Sequence, residues 1–180
     1  MKITELLNEI EFNNLSLNEK RVAIAKDVIT RFNNKNLIEE RGNIFQGDAF
    51  YERNIDPKVS INNNRCEVCA RGALLCSWIG NFNNVSWDEL RKLGGIGEQT
   101  YSSTAFPPAL LNVFGREMLD NIEAAFEHST YDWHYDTVET QKYVDAFERE
   151  EKDKYGESFG TPIIELMEWI ITNKGEFPLP

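Results

Sequence analysis

The sequence predicts a mainly α-helical fold, a compact multi-helix bundle of about six or seven helices around a buried central helix spanning residues 66–82. Three observations carry this expectation. Apolar residues recur at helical spacing in segments divided by Asn-rich turns. Capping signatures stand at the starts of several segments. One segment, Cys66 to Phe82, is apolar almost all the way round. A length of 180 residues with 41% hydrophobic composition suits one domain with its own core. There is no internal repeat and no low-complexity linker, so residues 1–180 read as a single domain.

Paired or tripled asparagines at 13–14, 33–34, 62–64 and 83–84 punctuate the chain, because Asn tolerates left-handed backbone and bonds its own main chain. The first long helix should begin at Ser16, with Glu19 completing a capping box. Val22, Ala25, Ile29 and Phe32 would face inward, with Lys20, Arg21 and Asp27 mostly off that face. Residues 43–52 suggest a small β-hairpin, in which Ile44-Phe45 and Ala49-Phe50-Tyr51 flank Gln46-Gly47-Asp48. Ser86 and Glu89 form a second capping box, opening a short helix that stops at Gly94-Gly95. Pro107-Pro108 opens the next helical stretch, whose stripe is Met118, Leu119, Ile122, Ala125 and Phe126. Residues 138–154 form an acidic helix with Val144 and Phe147 inward. The last helix takes Thr161 as N-cap and Pro162 in its first turn. Its stripe is Ile163, Leu166, Met167, Ile170 and Ile171, and Asn173-Lys174-Gly175 ends it.

The segment Arg65-Cys66-Glu67-Val68-Cys69-Ala70-Arg71-Gly72-Ala73-Leu74-Leu75-Cys76 is the most distinctive in the chain. A Cys-x-x-Cys pair suits zinc or redox chemistry, but zinc takes about four ligands, usually as two separated pairs. Here one pair is followed by a single further cysteine, with only His128 and His134 elsewhere. Wound as a helix, Cys66, Cys69, Ala70, Ala73, Cys76, Ser77 and Gly80 share one face of small residues. Leu75, Trp78, Ile79 and Phe82 take the other side. Structural cysteines on a face made for close helix approach explain more of these residues than a metal does. Glu67 and Arg71, four apart, are expected to pair where the helix nears solvent. Cys-Glu-Val-Cys-Ala-Arg-Gly-Ala-Leu resembles the Cys-x-x-Cys-Ala-x-Gly-Ala-Leu element of small, uncharacterised phage and bacterial proteins. The close of the chain, Leu166 to Pro178, is similar to the ends of such proteins. The resemblance covers about a fifth of the chain, carries no activity to any residue, and implies a phage-type accessory role such as countering host defence.

A net charge of −11 gives no basic footprint for nucleic acid and opposes an anionic membrane surface. The charged N-terminus is unlike a secretory leader, and no stretch approaches the ~18 apolar residues of a membrane span. Three cysteines within Cys66–Cys76 make a poor disulfide framework, so reduced thiols in a cytoplasm are expected. If the chain is an enzyme, its chemistry would lie at Asp132, His134 and Asp136, which alternate and so share one side of an extended segment. Gly94-Gly95-Ile96-Gly97 lacks the Lys-Ser/Thr of a phosphate loop. Asp145, Glu148, Glu150 and Glu151 offer the best surface for a basic partner.

These features favour a non-enzymatic acidic binding protein that inhibits a host protein or sequesters its small signalling ligand, with no cofactor and no resident metal. A small metal-dependent enzyme built on Asp132, His134 and Asp136 and a structural or assembly subunit are the alternatives. Homo-oligomerisation stays open.

Overall fold

A computed structural model describes residues 9–40, 45–46, 55–82, 108–127, 138–155 and 161–180. Among them are eight helices, α1 (Glu9–Asn14), α2 (Leu17–Asn33), α3 (Pro57–Asn63), α4 (Ala70–Phe82), α5 (Pro108–Phe114), α6 (Arg116–Glu127), α7 (Val138–Tyr155) and α8 (Ile163–Thr172). Three short strands, β1 (Leu37–Glu39), β2 (Phe45–Gln46) and β3 (Cys66–Val68), form one sheet in the order β1-β3-β2. The fold is mainly helical, packed around a central helix, as the periodicity predicts.

That central helix is α4, buried from Ala70 to Asn81 on every side. It starts four residues later than expected, because Cys66–Val68 is a strand. The strand holds the middle of the sheet: β1 runs parallel to it (Leu37 opposite Cys66), and β2 antiparallel (Phe45 opposite Val68). A three-residue run with both ends bonded across to other segments gains more as a strand than as a first helical turn. The expected hairpin is therefore corrected in part. Phe45–Gln46 is a strand, but its partner is β3; the other expected arm lies outside the described residues.

Helix α2 crosses both α4 and α8. Its capping box forms as expected: the Ser16 hydroxyl accepts from the Glu19 N–H, and Glu19 Oε2 accepts from the Ser16 N–H at 2.8 Å. The hydroxyl and the amide of Ser16 hold the Glu19 carboxyl below its ordinary value. Its inward face is rotated from the expected one. Ile24, Ala25, Val28 and Arg31 are buried, while Val22, Ile29 and Phe32 are half-buried at its borders. Burial of Arg31 moves the face, since its side chain (8% exposed) pairs with Asp27 at 2.6 Å and reaches Asn62 Oδ1 at 2.8 Å.

Helices α5 and α6 are separated at Gly115, whose φ of +74° is costly for other residues. The α6 stripe is as expected, with Leu119, Ile122, Ala125 and Phe126 buried and Met118 half-buried against the core. Val144 and Phe147 of α7 face inward as expected. Phe147 and Tyr143 stack on Phe177, and Trp169 meets Phe147 edge-on. These aromatic rings and the bonds from Tyr143 Oη to the Phe177 carbonyl and from Trp169 Nε1 to the Pro178 carbonyl hold the C-terminal segment down.

Thr161 is not the N-cap of α8. Pro162 holds that position without a side-chain bond, and Thr161 is buried with its hydroxyl unpaired. The cap comes from a distance: Glu39 Oε2 accepts from the Ile163 N–H at 3.0 Å, so β1 places a carboxylate at the positive end of α8. Among the described residues no helix is long and apolar enough to cross a membrane.

Candidate functional site

Two constellations emerge from these elements. The first is an open groove of about 470 Å³ between the end of α2, strand β1 and the start of α8. That volume is within the range of small-molecule sites. Phe32, Leu37, Ile38, Pro162 and Ile164 give it apolar walls. Lys35, Arg65 and Glu39 complete the lining.

Local backbone chemistry places Lys35. Helix α2 ends in a Schellman motif, in which the Lys35 N–H donates to the Phe32 carbonyl and the Asn36 N–H to the Arg31 carbonyl, each at 2.9 Å. Lys35 takes the left-handed position with φ +61°, where Gly is usual. The chain then turns directly into β1. The same Asn-Lys ending closes α8, where Lys174 has φ +55° and Gly175 bonds the Ile170 carbonyl. A left-handed Lys is therefore a helix-ending device of this chain.

Arg65 reaches the groove from the residue before β3. Neither Lys35 nor Arg65 has an ion-pair partner among the described residues. Glu39, the acidic member of the lining, is turned to the α8 N-terminus. The groove thus combines, among the described residues, two cations without an ion-pair partner and an apolar wall, in a chain of net charge −11. Sequence reasoning missed it because its residues are scattered over positions 32–39, 65 and 162–164. The only local signal was the Asn34-Lys35-Asn36 turn.

The second constellation is built around Cys69 and corrects two expectations. Cys66 and Cys69 do not share one face of a helix. Cys66 sits on β3, whereas Cys69 follows the strand as the residue ahead of α4. All three cysteines are free and buried, and the Cys66 and Cys76 thiols share a hydrogen bond. Burial and that bond push the Cys76 thiol well above its ordinary value. Cys69 instead meets α6: its sulfur and the carboxylates of Glu123 and Glu127 lie within 4.8 Å of one another. Burial first, then the charge of Glu123, pushes the Cys69 thiol well up, while the Gly72 N–H at the helix start pulls the other way.

Arg71 is likewise buried, with its guanidinium against α6, and does not sit at the solvent-facing surface where a pair with Glu67 is expected. Glu67 belongs to the strand, so helical i,i+4 geometry is absent. The Arg71 guanidinium lies 2.7 Å from Asp120, with its Nε 3.9 Å from Glu123, whose Oε2 also accepts the Arg71 backbone N–H at 3.2 Å. Glu123 therefore caps α4 from the neighbouring helix.

Among the other expected sites, Asp145 is exposed on α7 and accepts a bond from Gln141 at 2.8 Å. Glu148, Glu150 and Glu151 lie on the same helix, with their side chains outside the described residues. His128, Asp132, His134 and Asp136, and the Ser86–Gly97 segment, also lie outside the described residues. Comparison of the chain with protein-family models, curated proteins and solved structures finds no match in any of the three.

Proposed function

We propose that this chain is a non-enzymatic binding protein that holds a small anionic ligand in the groove between α2, β1 and α8. This is the sequestering form of the accessory role that the sequence suggests, a phage-type factor withdrawing a host signalling molecule. One observation carries the reading. Lys35 and Arg65 line an apolar groove without a counter-ion among the described residues, while the nearby acid caps a helix. A ligand with a planar apolar part and a phosphate or carboxylate fits this lining: the ring lies on Phe32 and Ile38, and the anion on the two cations.

Calorimetric titration with a panel of nucleoside phosphates and cyclic dinucleotides tests it. At least one member should bind, and Lys35→Glu with Arg65→Glu should weaken that binding about tenfold or more while leaving the melting temperature close to wild type. If no member binds, or if the charge-reversed protein binds as well as wild type, the reading fails.

A further inference from the structure

We propose that Cys69, Glu123 and Glu127 form a divalent-metal site of the zinc class at the junction of β3, α4 and α6. The three donor atoms lie within 4.8 Å of one another, so modest side-chain movement brings them around one ion. The scaffold is rigid: Cys69 is held between a paired strand and the buried helix α4, and Glu123 and Glu127 are one turn apart on α6. Cys69 is 1% exposed and the Glu123 side chain 12% exposed, while Glu127 is half-buried at the edge of the site.

The donor set selects the metal. A thiolate disfavours magnesium and calcium, which take oxygen, and two carboxylates disfavour copper(I). Zinc accepts sulfur and oxygen together, at about 2.3 Å and 2.0–2.2 Å. Three protein ligands leave the fourth tetrahedral position for water or an external ligand. Arg71 orients the set from behind, since its backbone N–H donates to Glu123 and its guanidinium binds Asp120. A carboxylate has about four acceptor sites, so this contact leaves Glu123 able to ligate.

Binding is a balanced exchange. The Cys69 S–H loses its proton to solvent as the sulfur–metal bond forms, and no electron moves. The positive end of α4, which already sends the Gly72 N–H toward the sulfur, supports the thiolate once a cation offsets the two acids. The Cys-x-x-Cys motif thus points to the right cysteine and the wrong partners, because Cys66 is engaged with Cys76.

The test titrates the purified full chain, stripped with chelator, with Co²⁺ and then Zn²⁺ alone. Cobalt should give a thiolate-to-metal charge-transfer band that saturates at one equivalent, releases one proton and is bleached by zinc. Zinc at a hundredfold excess over Kd should raise the melting temperature by about 5–10 °C. Cys69→Ala should abolish the band, and Glu127→Gln, a milder change in case the first variant folds poorly, should weaken cobalt binding about tenfold or more. Cys66→Ala should leave the band intact. The proposal is overturned if wild type shows no band, if Cys66→Ala removes it, or if both Cys69→Ala and Glu127→Gln bind cobalt as wild type does.

Discussion

Gly80 is where the small-residue face of α4 meets a charge, and Gly80→Ala measures what that face is for. A Cβ at this position would overlap the Arg31 guanidinium and come within 2.7 Å of Asn62 Oδ1. Side-chain ends usually move aside cheaply, but here they are pinned. Arg31 Nε is 2.6 Å from Asp27, Nη2 donates to Asn62 Oδ1 at 2.8 Å, and Asn62 Nδ2 donates to the Gly80 carbonyl at 3.0 Å. Displacing Nη2 forfeits its bond to Asn62 and strands a buried charged donor, which costs about 2–3 kcal/mol. Replacing a mid-helix glycine by alanine returns about 0.5–1 kcal/mol. The net expectation is a loss of about 1–2 kcal/mol, read as a drop of about 2–8 °C in melting temperature or a lowered urea midpoint. In a background where Asp27→Leu and Arg31→Met replace the pair together, the clash disappears and the same substitution should stabilise by about 0.5–1 kcal/mol. A neutral or stabilising Gly80→Ala in the wild type, or an equal cost in both backgrounds, refutes the argument that Arg31 is the group the missing Cβ makes room for.

Gly175, with φ +92°, faces the backbone of Asn18, which cannot give way as a side chain can, so Gly175→Ala should cost at least about 2 kcal/mol in urea unfolding. Lys174→Gly relieves a left-handed Lys and should stabilise by about 0.5–1 kcal/mol, checked by the same unfolding curves. Lys35→Gly should stabilise similarly but weaken binding of an anion in the groove, so melting temperature and affinity should move in opposite directions. The Cys76 thiol has its pKa raised in the folded state above the ordinary 9.0, by burial and then by its bond to Cys66. Its contribution to stability is therefore complete below about pH 9 and is lost as pH rises beyond it, by up to about 1.4 kcal/mol per pH unit. Urea unfolding at pH 8, 9 and 10 should show a steeper loss for wild type than for Cys76→Ala.

What was legible in the sequence followed from short-range physics. The Ser16–Glu19 box, the α6 and α8 stripes and the Asn-Lys-Gly ending of α8 need only neighbours within a few residues, and the structure has all of them. The Asp56-Pro57 start of α3 was equally legible and was passed over: Asp56 Oδ1 accepts from the Lys58 and Val59 amides, with proline in the first turn. The errors arise where a distant group overrides the local pattern. Helical winding of residues 66–69 is sound in isolation, but β1 and β2 offer that backbone its partners. Thr161 looks like an N-cap because nothing nearby tells of Glu39, which supplies the cap across more than a hundred positions. Arg31 was left off the inward face because hydropathy alone cannot foresee that Asp27 and Asn62 would satisfy it.

The same division explains the two candidate sites. Spacing along one segment puts Cys66 and Cys69 on one helical face and does not tell of the acids of α6. The β3–α4 junction changes the partners. A strand ending at Val68 and a helix starting at Ala70 split Cys66 from Cys69, and Cys66 goes to Cys76 in the core. Cys69, as the residue that leads into α4, meets the acidic side of α6. Glu123 then has two tasks, capping α4 through the Arg71 amide and facing the sulfur, so it is spent neither on solvent nor on a surface pair. Glu39 repeats the pattern at α8, where capping a helix from another element turns the groove's acid to that helix and leaves Lys35 and Arg65 without an ion-pair partner among the described residues. In both places a carboxylate assigned to a helix start decides the charge of the neighbouring site. Glu39→Gln isolates that effect, because it keeps an acceptor for the Ile163 amide while removing the negative charge beside the groove. Anion affinity at the groove should rise in this variant, with little change in melting temperature. Weaker anion binding in a stably folded Glu39→Gln protein would show that the groove cations do not act on the ligand.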